Sequence, residues 1–83
     1  MKMKNLRYNL LLQPEPEGGY TVLVPALPGC VSFGKTVKEA KKMAADAIIA
    51  YIASLKKHNE SIPSDTESVI AQVEVSAPTG LHA

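Results

Sequence analysis

The chain has 83 residues and a formal net charge of +1, so it makes one small domain that buries only about 60–65% of its unfolded surface. Near-neutral charge excludes both the basic field expected of a nucleic-acid binder and an acidic tail, and a single cysteine excludes an internal disulfide. With 46% hydrophobic residues but only three Tyr, one Phe and no Trp, the core is thin, and an interface with another chain is expected to add burial.

Met1-Lys2-Met3-Lys4 is basic, but Asn5, Arg7 and Asn9 interrupt the segment after it, so no secretory signal is read there. A lone Cys also suits the cytoplasm. The longest apolar run, Ala44 to Leu55, contains Asp46 and falls short of the roughly 20 residues of a membrane span, so no membrane role is expected.

Leu6, Tyr8, Leu10 and Leu12 alternate with Arg7, Asn9, Leu11 and Gln13, the period of a strand that Pro14 ends. Pro14 to Gly19 is a polar, turn-rich connector, which predicts antiparallel pairing with a second strand at Tyr20, Val22 and Val24. Pro25 has no N–H for the ladder and stops that strand. Pro28 presets the backbone for the second position of a β-turn and Gly29 supplies positive φ next, so Leu27 to Cys30 reads as a type II turn. Cys30 to Gly34 then resumes an extended course as a short third strand.

At Thr36 the period changes. Thr36-Val37-Lys38-Glu39 fits a capping box, and Val37, Ala40, Ala44, Ala47, Ile48, Tyr51 and Leu55 form one stripe of an amphipathic helix running to about Lys57. Asn59 suits the left-handed position just past its end, and Lys56 and Lys57 suit its negative terminus. Residues 60–68 read as a loop. Val69, Ala71, Val73 and Val75 then alternate with Ile70, Gln72 and Glu74, predicting a fourth strand, and residues 77–83 read as a flexible C-terminal tail after a domain spanning 1–76. The expected architecture is α+β: a two-layer β-β-β-α-β domain with a four-stranded mixed sheet in the order 3-2-1-4 and one helix on one face.

That strand order is shared by the ribonuclease H fold, whose chemistry requires carboxylates on neighbouring strands to hold two metals. The first strand has no Asp or Glu, and only Glu74 lies inside any predicted strand, which disfavours a nuclease. Cys30 lacks a nearby base, because His58 ends the helix and His82 sits in the tail, so a buried structural thiol is the better reading. One Cys and two distant His provide no zinc spacing. Gly18-Gly19 is followed by neither a Gly-Lys-Ser/Thr pattern nor a helix start, so both glycines belong to the hairpin. Lys35, Lys38, Lys41, Lys42, Lys56 and Lys57 are interleaved with Glu39 and Asp46 and read as a solvated face. No catalytic, cofactor-binding or metal-binding residue is identified.

The anomaly is on the helix. Ala45, Ile49 and Ala53 lie beside the core stripe with Ile52 between, so residues 47–53 are apolar almost all round. With one helix in the chain there is little to cover that flank, which is read as an intermolecular contact. Pro25, Leu27 and Pro28 form a second candidate contact, because a stiff turn presents its residues at little ordering cost.

The pattern Tyr20-x-Val22-x-Val24-Pro25-x-Leu27-Pro28-Gly29-Cys30, followed by Ser32-x-Gly34-x-Thr36-x-x-Glu39-Ala40 and Ala47-Ile48, resembles the HicB-like antitoxin domain. The resemblance covers most of the chain and implies a partial ribonuclease-H-like fold without nuclease activity. It also implies binding to a small HicA-type toxin, an mRNA-cleaving enzyme inhibited when its active surface is covered. Many members of that family carry a helix-turn-helix or ribbon-helix-helix segment after this domain. Here the chain stops a few residues after Pro78, so direct DNA binding is not expected. The expected function is therefore that of a non-enzymatic, cytoplasmic antitoxin module that forms a homo-oligomer. The alternative is an orphan homo-oligomeric domain with a small-molecule or RNA-related binding role.

Overall fold

The computed structural model describes residues 5–80. Three short strands, β1 (Leu11–Pro14), β2 (Tyr20–Leu23) and β3 (Val31–Gly34), precede one helix, α1 (Val37–Lys57). The sheet is antiparallel throughout, in the order β1-β2-β3. Helix α1 packs on one face of it.

Local chemistry accounts for the joints. The hairpin loop closes through Glu15 N–H to Gly19 O at 2.9 Å and Gly18 N–H to Glu15 O at 3.0 Å. Beyond β2, Leu27 N–H donates to Val24 O and Cys30 N–H to Leu27 O, at 2.9 and 3.0 Å. Gly29 has φ +81°, the conformation a type II turn demands after Pro28. Helix α1 opens on Thr36, whose hydroxyl accepts from Glu39 N–H at 3.0 Å. The Glu39 carboxylate reaches back to Lys35 N–H, one residue before the cap, also at 3.0 Å. The helix closes in a Schellman motif: Asn59 is left-handed at φ 57°, Glu60 N–H reaches Leu55 O at 2.9 Å and Asn59 N–H reaches Lys56 O at 3.1 Å.

Two buried clusters hold the layers together. Val22 packs with Ala40 and Ala44, flanked by Leu10, Leu12 and Tyr20. Val24, Leu27 and Cys30 form the second, flanked by Tyr8, Leu10, Ala47, Ile48 and Tyr51. The Tyr51 hydroxyl donates to Pro28 O at 2.8 Å and ties the turn to the helix. Small residues on the sheet-facing side of α1 let the backbones approach. Val37, expected on the core stripe, is half exposed at the first turn.

The four-stranded mixed sheet of order 3-2-1-4, with its partial ribonuclease-H-like topology, is corrected by this structure. The architecture is β-β-β-α. Residues 69–75 form no strand, and Val69 and Val73 are 88% and 86% exposed. Alternation specifies an apolar face but supplies no hydrogen-bonding neighbour, and a strand exists only where a ladder forms. The first strand also begins at Leu11 instead of Leu6. Ahead of it, Asn9 N–H donates to Asp65 Oδ2 and the Tyr8 hydroxyl to Pro63 O, both at 2.7 Å. The loop after the helix thus takes up polar groups of the segment leading into β1. Residues 81–83, including His82, lie outside the described residues.

Candidate protein-interaction surfaces

Among the described residues, each layer exposes an apolar surface. On the helix, Ala40 and Ala44 face the sheet and are fully buried, so the next positions round the cylinder, Ala45 and Ile49, stand at its side. Ile49 is 67% exposed, Ala53 is exposed and Ile52 is half-buried. This flank and the segment before β1 enclose a groove of about 410 Å³, whose walls include Leu6, Tyr8 and Leu10 opposite Ala45, Ile48 and Ile49. Among the described residues, Lys41 is the one charged residue lining it.

The second surface is absent from the expectations drawn from the sequence. Leu11, Leu23 and Val31 lie directly opposite one another across all three strands, on the face away from α1, and Phe33 stands next along β3 opposite Thr21. Leu11, Val31 and Phe33 are each about half exposed. A signal for it exists: Val31 and Phe33 alternate with Ser32 and Gly34, and a single helix covers only one face of a sheet.

The turn candidates divide. Pro25 and Pro28 are exposed, but Leu27 is fully buried, so the expectation that the turn presents it is corrected. The backbone bonds at both ends of residues 24–30 fold the Leu27 side chain inward against Val24 and Cys30.

Three ionisable groups are shifted by their surroundings. Burial pushes the Cys30 thiol above its ordinary value, opposite to the shift that activates a nucleophile. The Asp65 carboxyl is held below the usual range by hydrogen bonds from the Ser68 side chain and the Asn9 backbone. Burial, and then the charge of Asp65, raise Tyr8. No group of three or more His, Cys, Asp or Glu that could hold a metal ion occurs among the described residues. No helix among them is long and apolar enough to cross a membrane.

Three antiparallel strands and a capped helix, with an apolar surface exposed on each layer, make up this domain, and sequence comparison places it. The family model described as HicB_like antitoxin of bacterial toxin-antitoxin system matches residues 8–78, and the chain belongs to that family. It is 51% identical over 65 residues to a UPF0150 protein of Thermoplasma acidophilum, covering 78% of this chain and 94% of the relative. It is 43% identical over 61 residues to Antitoxin HicB 1 of Photorhabdus laumondii, covering 74% of this chain and 39% of the relative. Antitoxin HicB of Escherichia coli is 40% identical over 58 residues, which cover 70% of this chain and 42% of that protein. The aligned part thus spans about two fifths of each of these two antitoxins.

Proposed function

We propose that residues 1–76 form a cytoplasmic antitoxin module that binds a small HicA-type, mRNA-cleaving toxin and inhibits it by covering its active surface. It performs no reaction of its own. The observation that carries this reading is the row of Leu11, Leu23 and Val31 across the open sheet face, with Phe33 beside it. A contiguous apolar patch on a small chain is the mark of a partner surface. The turn that joins Leu23 to Val31 extends it with exposed Pro25 and Pro28, whose rings limit the ordering cost of contact. Ala45, Ile49, Ile52 and Ala53, on the other layer, serve contact between copies, so the module is a homo-oligomer.

The test is coexpression of the tagged chain with the open reading frame adjacent to its gene, read by pull-down and growth rescue. A stoichiometric complex with relief of toxicity is the expected result. Val31→Asp should fold normally yet bind about 100-fold more weakly, since a charge forced into an apolar contact costs about 3 kcal/mol. If no toxic neighbour exists or none binds, the antitoxin reading fails. A homo-oligomeric domain with a small-molecule or RNA-related ligand then takes its place.

A further inference from the structure

From Tyr8 to Gly34 the chain carries no Lys, Arg or His, and Glu15 and Glu17 are the charged residues of that stretch. Lys38, Lys41, Lys42, Lys56 and Lys57 gather instead on α1. Both glutamates belong to the β1–β2 hairpin loop, at one end of the open sheet face. The Glu15 backbone closes that loop, and the Thr21 hydroxyl donates to Oε1 of its carboxylate. Thr21 pairs with Phe33 across the strands, and its neighbour Val22 is buried against α1, so Thr21 holds the Glu15 carboxylate on the open face. The Phe33 ring lies over Gly19 in the same loop, where a Cβ would come within 2.5 Å of Phe33 Cζ. A pinned carboxylate and a half-exposed aromatic ring thus flank Thr21 at the margin of the apolar row.

Each feature alone has a local explanation: the ring covers a strand glycine, and the carboxylate satisfies a hairpin hydroxyl. Together they match one chemistry. Thr21 engages Oε1 and leaves the second carboxylate oxygen to accept from outside the chain. A guanidinium is planar, donates to a carboxylate through a fork of N–H groups and stacks on an aromatic face. An ammonium is a strongly hydrated point charge and does less of both.

We propose that Glu15 and Phe33 hold an arginine side chain of the partner protein, its guanidinium paired with the Glu15 carboxylate and stacked on the Phe33 ring. Leu11, Leu23 and Val31 take the apolar surface beside that arginine. The inference rests on the reading of the open sheet face as the toxin-binding surface and names the chemistry recognised there. A protein that grips an RNA backbone does so with Arg and Lys, so a chain that covers such a surface needs acidic groups beside its apolar contact. The hairpin supplies them, with Glu17 adding to the attraction. The lysines of α1 repel the same surface, which turns the sheet layer toward it.

Two measurements test it on the full chain. The first is calorimetric titration of the purified product of the adjacent reading frame into wild type, Glu15→Gln, Phe33→Leu and the double variant. Glu15→Gln keeps an acceptor for Thr21 and Phe33→Leu keeps an apolar side chain, and circular dichroism checks both folds. Each single change should weaken binding about tenfold, and the pair should fall short of the roughly hundredfold product because both groups hold one guanidinium. Unchanged binding, or losses that multiply in full, overturns the arginine site and leaves the antitoxin reading standing. The second measurement needs no toxin: amide NMR spectra during titration with hexa-arginine and hexa-lysine peptides. Hexa-arginine should shift the Thr21 and Phe33 signals at about tenfold lower concentration than hexa-lysine, and Phe33→Leu should abolish the difference. Equal responses to the two peptides, or none, overturn the site. A neighbour that fails to bind the wild type overturns the antitoxin reading, and the peptide titration then decides the site by itself.

Discussion

Gly34 lies directly against Ala40: a Cβ on Gly34 would come within 2.3 Å of the Ala40 amide nitrogen and 2.4 Å of its Cα. The last residue of β3 and the first turn of α1 therefore share a space that only a hydrogen can occupy. The obstructing atoms are backbone and cannot rotate away. Gly34→Ala should cost about 3 kcal/mol, the upper range for overpacking. In a domain of this size that lowers Tm by roughly 15 °C, measurable in a thermal melt followed by circular dichroism.

Leu27 sits in the second core cluster with no exposed surface. Leu27→Ala removes buried methyl groups and leaves a cavity between the turn and α1, at an expected cost of about 3 kcal/mol. Pro28→Ala, on the exposed side of the same turn, should cost under about 1 kcal/mol through unfolded-chain entropy. Urea denaturation of the two variants checks the contrast, and equal losses would show that the turn does not direct Leu27 inward.

Asn59 ends α1 with φ 57°. Asn59→Gly should leave stability nearly unchanged or raise it slightly, because glycine reaches that conformation without steric cost. Asn59→Val should lose about 1–2 kcal/mol, the penalty for a β-carbon branched against the carbonyl in the left-handed region. Midpoint shifts of opposite order would contradict the Schellman closure.

Asp65 gives the fold an acid-sensitive latch. Its carboxyl is held below the usual range by Ser68 and Asn9, so the folded state binds its proton more weakly than the unfolded chain does. The stabilisation is therefore complete above the unfolded value of about 4 and is lost as pH falls through the lower folded value. Urea midpoints measured from about pH 7 down to about pH 2.5 should fall over that window in the wild type. Asp65→Asn should start lower and show a smaller decline, and identical slopes would remove Asp65 from the latch.

Features with short reach are legible in the residues. The Thr36 cap, the left-handed Asn59 and the Pro28-Gly29 turn each depend on groups only a few positions away, so residue type alone identifies the partner. The Ile49 flank is legible as well, because the helical period assigns side chains to faces whatever surrounds them. The row of Leu11, Leu23 and Val31 is harder to see, since it requires the register of three strands at once. The inward turn of Leu27 likewise depends on backbone bonds whose partners the pattern does not name.

Three antiparallel strands, one capped helix and the family pattern running from Tyr20 to Ile48 follow from the residues alone, because periodicity and turn chemistry are properties of near neighbours in the chain. The fate of residues 69–75, and of the strand lead at Tyr8 and Asn9, depends instead on the folded arrangement. An alternating segment becomes a strand only when another edge accepts its hydrogen bonds. Here the Asn9 N–H that leads into β1 is engaged by Asp65, and residues 69–75 stay exposed outside the sheet.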